Sequence, residues 1–110
     1  MINLEIDTYD KKLINEILGT NRIEIGTASK IHDDVTIIFH SAYFKKSFNI
    51  PDTYRFVIEI ITAFSVSYFA NWLYGKLNNR AEKIRINGEE ININIDDIQI
   101  SIRRLNKDRE

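Results

Sequence analysis

The sequence predicts one α+β domain, and three observations carry that prediction. Alternating apolar residues near both ends of the chain read as strands. Residues 52–80 are apolar almost throughout and read as one long helix, and Asn87-Gly88, between two isoleucine-bearing segments, reads as the turn of a hairpin. With 110 residues the chain has room for one core rather than two, so the domain is expected to span 1–110.

At the start, Ile2, Leu4 and Ile6 alternate with Asn3, Glu5 and Asp7, the pattern of a strand with one buried face. Asp7 or Thr8 can cap a short helix whose apolar face is Tyr9, Leu13, Ile14, Ile17 and Leu18, with Gly19 as its stop. Residues 22–26 and 35–40 give two further strands, separated by a loop over 28–34. Residues 41–50 are irregular: a lid, a strand extension and a contact surface all fit, and the simplest reading is a connector that tucks Tyr43, Phe44 and Phe48 under the long helix.

Pro51 stops whatever precedes the long helix, Asp52 or Thr53 can cap it, and Gly75, Asn78 and Asn79 weaken its end, giving a helix over about 52–79. About 26 residues at ~1.5 Å rise would run roughly 40 Å. Its apolar residues cover most of the circumference, which predicts burial, a membrane or a shared interface. The exception is the row Glu59, Ala63, Ser67, Asn71 and Gly75, small or polar, where another backbone can come close.

In the hairpin that follows, Ile84 falls opposite Ile91 and Arg85 opposite Glu90, one face apolar and the other a charge pair. A second turn at Asp96-Asp97 extends this to a three-stranded meander over about 83–103, with Ile98, Ile100 and Ile102 opposite Ile95, Ile93 and Ile91. The competing reading makes Asp97 a helix cap, with Ile98, Ile102 and Leu105 on one face. The strand is preferred because IQISI alternates strictly. The charged tail 106–110 is expected to fray. The order is β-α-β-β-α-β-β(-β), an antiparallel C-terminal meander covered by one long apolar helix, and up to the fourth strand it matches a ferredoxin-like βαββαβ plan.

Composition narrows the function classes. A net charge of -1 gives no general attraction to nucleic acid or anionic membrane, and the meander's outer face offers no aromatics for base stacking, so nucleic acid is disfavoured as a partner. The absence of cysteine rules out disulfides and thiol ligation and fits a cytoplasmic protein. No signal peptide is read at the N-terminus. His32 with Asp33, Asp34 and the distant His40 matches no tight ligand pattern, and neither histidine frames a nucleophile. No metal, cofactor or catalytic residue is therefore expected. A membrane span over 56–74 has the length but carries Glu59, Asn71 and three hydroxyl residues, so it is the lesser reading.

From Ala70 onward, ANWLYGKLNNRAEKIRINGEEININID resembles the effector-associated constant component domains of bacterial conflict systems, through Ala70, Trp72, Leu73, Lys76 and Arg80 in the helix and 83–95 in the hairpin. The strand and short helix over 2–18 also fit in order. The resemblance implies a non-enzymatic adaptor beside proteases or other effectors, and it carries over no catalytic residues.

The expected function is therefore a non-catalytic protein–protein interaction module that binds another protein or its own copy, as a homo-oligomer, through the aromatic side of the long helix. The candidate residues are Phe64, Tyr68, Phe69, Trp72 and Tyr74, with Tyr43 and Phe44 nearby in sequence. The alternative is a small phage or bacterial inhibitor or immunity protein that masks a partner's active site with a charged face.

Overall fold

Strands rich in isoleucine and aromatics pair wherever their period-two patterns leave one apolar face to be covered. A computed structural model describes residues 1–107, with side chains through Leu105. In chain order the elements are β1 (Ile2–Thr8), α1 (Lys11–Leu18), β2 (Ala28–His32), β3 (Val35–Tyr43), β4 (Asp52–Ile60), α2 (Ser65–Leu77), β5 (Lys83–Ile86), β6 (Glu89–Ile91) and α3 (Ile95–Lys107). The strands form one six-stranded sheet in the order β2-β3-β4-β1-β5-β6, every pair antiparallel. The fold is thus α+β. A ferredoxin-like plan accounts at most for β1-α1-β3-β4-α2-β5, because β2 and β6 each add an edge strand and α3 adds a third helix.

Residues directly opposite in an antiparallel pair share a face, so the register sorts the whole sheet. Phe39, Phe56, Leu4 and Ile86 form one row across four strands, Ile37, Ile58 and Ile2 a second, and Tyr54, Ile6 and Ile84 a third. All are buried in one apolar cluster with Leu13, Ile14 and Ile17 of α1, Val66, Phe69 and Leu73 of α2, and Ile98 and Ile102 of α3. The helices therefore cover one face, with α2 touching both α1 and α3.

The ends of the short elements follow from their chemistry. α1 is capped by Asp10, whose side chain accepts from the Lys12 N–H, rather than by Asp7 or Thr8, and Gly19 at φ 67° ends it as expected. The hairpin has the predicted register, Ile84 against Ile91 and Arg85 against Glu90. Asn87 at φ 49° and Gly88 at φ 84° make its tight turn.

Four expectations are corrected. The helix over 52–79 does not exist as one element: residues 52–60 are β4, and only α2, 13 residues and about 20 Å long, is helical. Apolarity on every side came from joining two periods, since Tyr54, Phe56 and Ile58 face the helices while Arg55 and Glu59 face away. β4 ends without glycine or proline, where the Ile61 N–H donates to the Asp34 carbonyl at 2.9 Å and the Thr62 and Ser65 hydroxyls converge on the Asp34 carboxylate. The small-residue row is thereby broken, and so is the 56–74 membrane span. Among the described residues no helix is long and apolar enough to cross a membrane.

The second correction is the meander's third strand, which is α3. The Asn94 side chain accepts from the Asp97 N–H at 2.7 Å as a cap, and Asp97 accepts in turn from the side-chain amides of Asn92 and Asn94. Ile98 and Ile102 are buried and Leu105 is packed against the core, the face of the competing reading. α3 runs two residues into the tail expected to fray, and 108–110 lie outside the described residues. Third, residues 22–26 are not a strand, and β2 forms instead over 28–32, where a loop was expected. Fourth, residues 41–43 extend β3, and the aromatics after them are not tucked away.

Candidate protein-binding surface

The expected aromatic set does not form one surface. Phe69 is buried in the core, and Trp72, stacked on it with ring centroids 6.0 Å apart, is half-buried, as is Tyr74. Phe64 and Tyr68 are exposed at the start of α2 beside Ile61, with the Tyr68 ring 4.6 Å from that of His32. Tyr43, the last residue of β3, and Phe44, the first of the connector between β3 and β4, lie at the opposite end of β4.

That connector carries the most distinctive surface. Phe44 is 56% exposed and meets the Tyr54 ring edge-on at 6.1 Å, while Phe48 is fully exposed. Tyr9, between β1 and α1, and Ile50 are also exposed. The backbone here is held rather than loose: the Lys45 N–H donates to Asp52 Oδ1 at 3.0 Å, the Asn49 N–H to Ser47 Oγ at 3.3 Å, and Lys46 sits at φ 52°, a left-handed conformation uncommon for a side-chain-bearing residue.

Two adjoining grooves open around Phe44 and Lys11, which line both. One, of about 490 Å³, lies among Tyr9, Lys46, Phe48, Ile50 and Asp52. The other, of about 520 Å³, lies among Ile14, Ile23, Ile25, Phe39 and Tyr54, with Glu24 at its rim. Burial pushes the Tyr54 hydroxyl above its ordinary pKa, and the Asp52 charge adds to this, so it stays a neutral wall.

The charges around the grooves are unequal in how they are engaged. Asp10 is bound by Arg80, which also pairs with Glu16. Asp7 accepts from Arg85 Nη2 and Nη1, at 2.6 and 3.0 Å, and from Thr53 Oγ1 at 2.8 Å. Burial would raise the Asp7 carboxyl, but these hydrogen bonds, with the charges of Arg85 and Lys45, hold it below its ordinary value. Lys11, Lys12, Lys45 and Lys46 enter none of the ion pairs among the described residues.

Among the described residues no buried side-chain nitrogen or oxygen lacks a hydrogen-bond partner. His40 stands at a bulge in β3 with its Nδ1 2.9 Å from Ser41 Oγ, and among the described residues no group of three histidine or acidic side chains could hold a metal ion. Reading the sequence alone missed Tyr9, Phe48, Ile50 and Lys11 as members of one site. The signal was available in Tyr43-Phe44-Lys45-Lys46, aromatics beside lysines just before a proline, where a hairpin connector has no core to fill. In comparisons with known proteins, no family model matches the chain, and no curated protein or solved structure is significantly similar to it.

Proposed function

We propose that this chain is a non-catalytic protein-binding module that engages its partner through the connector between β3 and β4. The observation that supports this most is the exposure of Phe44 and Phe48 on a hydrogen-bonded connector beside lysines that enter no ion pair among the described residues. Exposed aromatics gain nothing for the fold itself, whereas burying such a ring against a partner is worth on the order of 1.5–3 kcal/mol. An adaptor role in a bacterial conflict system, in the cytoplasm, belongs to the same proposal. Its supports are the resemblance, the order of a helix carrying Trp72-Leu73 followed by strand, turn and strand, and a cysteine-free sequence.

Masking of an active site by a charged face draws less from the geometry. The open face of the sheet carries Arg55, Glu5, Arg85 and Glu90 in one register row, and these charges neutralise each other across the strands.

A photo-crosslinking residue at position 48, compared with one at position 64, tests the proposal in bacterial cells. A discrete adduct from position 48, absent when Phe44→Ala is added, is the expected result. No adduct from position 48 would overturn it. Self-association is read from the same sample: light scattering that shows a dimer, dissociated by Phe48→Ala, makes a second copy the partner.

A further inference from the structure

We infer that the paired grooves take an acidic, extended peptide segment of a partner, with carboxylates over Lys11 and Lys46 and one apolar side chain in the compartment between Ile23, Ile25 and Phe39. This rests on the protein-binding reading and names its partner class. Charge complementarity selects the occupant. Among the described residues the acids of this end are partly engaged, Asp7 by Arg85 and Thr53 and Asp10 by Arg80, while Asp52, which accepts the Lys45 N–H, and Glu24 face four lysines that enter no ion pair, so positive charge is in excess.

The two compartments differ in character, and this orients the ligand. Lys11 lines both; the groove beside Phe48 adds Lys46 and Asp52, whereas the adjoining one is walled mainly by buried or half-buried Ile14, Ile23, Phe39 and Tyr54, with Glu24 at its rim. A segment laid across both meets two lysines against one acid at the Phe48 end and a mainly apolar end, with Glu24 as its acid, past Phe44. Its carboxylates therefore belong at the Phe48 end and its apolar side chain past Phe44. About six residues at ~3.3 Å each reach across two such compartments. A duplex or single strand of nucleic acid would need more cations than four lysines on a chain of net charge -1.

An array of immobilised eight-residue peptides tests this. One set carries three to four consecutive acidic residues followed by a single leucine or isoleucine, a second reverses the charges, and a third replaces the apolar residue with serine. Binding confined to the first set, weakening with salt and about tenfold weaker for Lys11→Glu/Lys46→Glu, supports the inference. The variant Phe64→Ala/Tyr68→Ala binds as the parent does, and unchanged melting of both variants shows that the fold is intact. Absence of binding, equal binding to the charge-reversed set, or no loss in the lysine variant overturns it. So does stronger binding to oligothymidylate or to vesicles containing phosphatidylserine, lost in the same lysine variant. A position-48 adduct in cells alongside a negative array would discard the acidic segment and leave the binding module standing.

Discussion

The two faces of the sheet are built from the same strands and held by opposite means. Toward the helices, the row Phe39, Phe56, Leu4 and Ile86 is buried apolar surface, stabilised in proportion to area and indifferent to partner identity. On the open face, the row Ser41, Arg55, Glu5, Arg85 and Glu90, with Asp7 beside it, is held by specific pairs between unlike charges. The difference teaches where a partner can act. The first face is used up by the fold and the charge row of the second by its own ion pairs, so the exposed side chains outside both include Phe44, Phe48 and the lysines at the connector, proposed above as the contact surface, and Ile61, Phe64 and Tyr68 at the start of α2.

The comparison is tested hardest on the apolar face. Phe56 touches β1 and β3 through its neighbours and stands edge-on to Phe39 at 5.8 Å, fully enclosed. Phe56→Ala should cost about 3–5 kcal/mol, read as a lower denaturant midpoint at unchanged slope. A loss under 1 kcal/mol would mean the central row is not the core.

The charged face should be nearly as sensitive when one partner alone is removed. Arg85→Met leaves the Asp7 carboxylate, whose side chain is only 8% exposed, with Thr53 as its remaining side-chain donor. Because Arg85 itself is partly exposed, roughly 2–3 kcal/mol is expected rather than the full cost of a deeply buried pair. Adding Asp7→Leu should restore part of it, since no charge is then left unpaired.

The pH dependence gives the sign. In the parent the Asp7 carboxyl is held below its ordinary value, so its contribution is present above the unfolded carboxylate range near pH 4 and is lost as pH falls through the lower folded value. Without Arg85 burial dominates and favours the neutral acid. Melting scans should therefore show the gap between parent and Arg85→Met to be widest near neutrality and to close in acid. A gap independent of pH would remove Asp7 from the explanation.

A smaller effect separates helix from strand at the C-terminus. Asn94→Ala removes the cap of α3 and should cost about 1 kcal/mol with loss of helical circular dichroism, whereas a strand at that position would be insensitive. This is where the sequence was least legible. IQISI alternates like a strand, and its helical face shows only when Leu105 is counted with Ile98 and Ile102. Residues 52–64 failed for a related reason: β4 passes to α2 through Ile61, Thr62, Ala63 and Phe64, with no glycine or proline to mark the change of period. What stops the strand is Asp34, distant in sequence and invisible to any local pattern. The hairpin was legible down to its register because Asn87-Gly88 and the isoleucines on either side specify it locally. Of the candidate surface, Phe44 and Tyr43 were legible as residues but not as a site, because Tyr9 and Lys11 reach them only through the pairing of β1 with β4.

The smallest expected effect on stability falls at the connector. Phe48 is fully exposed, so Phe48→Ala removes no buried area and breaks no hydrogen bond, and its effect on the denaturant midpoint should lie within about 0.5 kcal/mol. Arg55→Ala, which loses one exposed pair with Glu5 at 3.3 Å, is the matching control on the open face and should also cost under about 1 kcal/mol. Two changes so alike in stability are expected to part in binding: the position-44 and position-48 ring deletions should weaken capture of an acidic peptide several-fold, and Arg55→Ala should leave it unchanged. If Arg55→Ala weakened binding as much, the open face would be part of the contact surface and the charge row would have a second use. If Phe48→Ala destabilised the fold by more than 1 kcal/mol, the ring would be packed in solution and the connector would lose its claim to be a free surface.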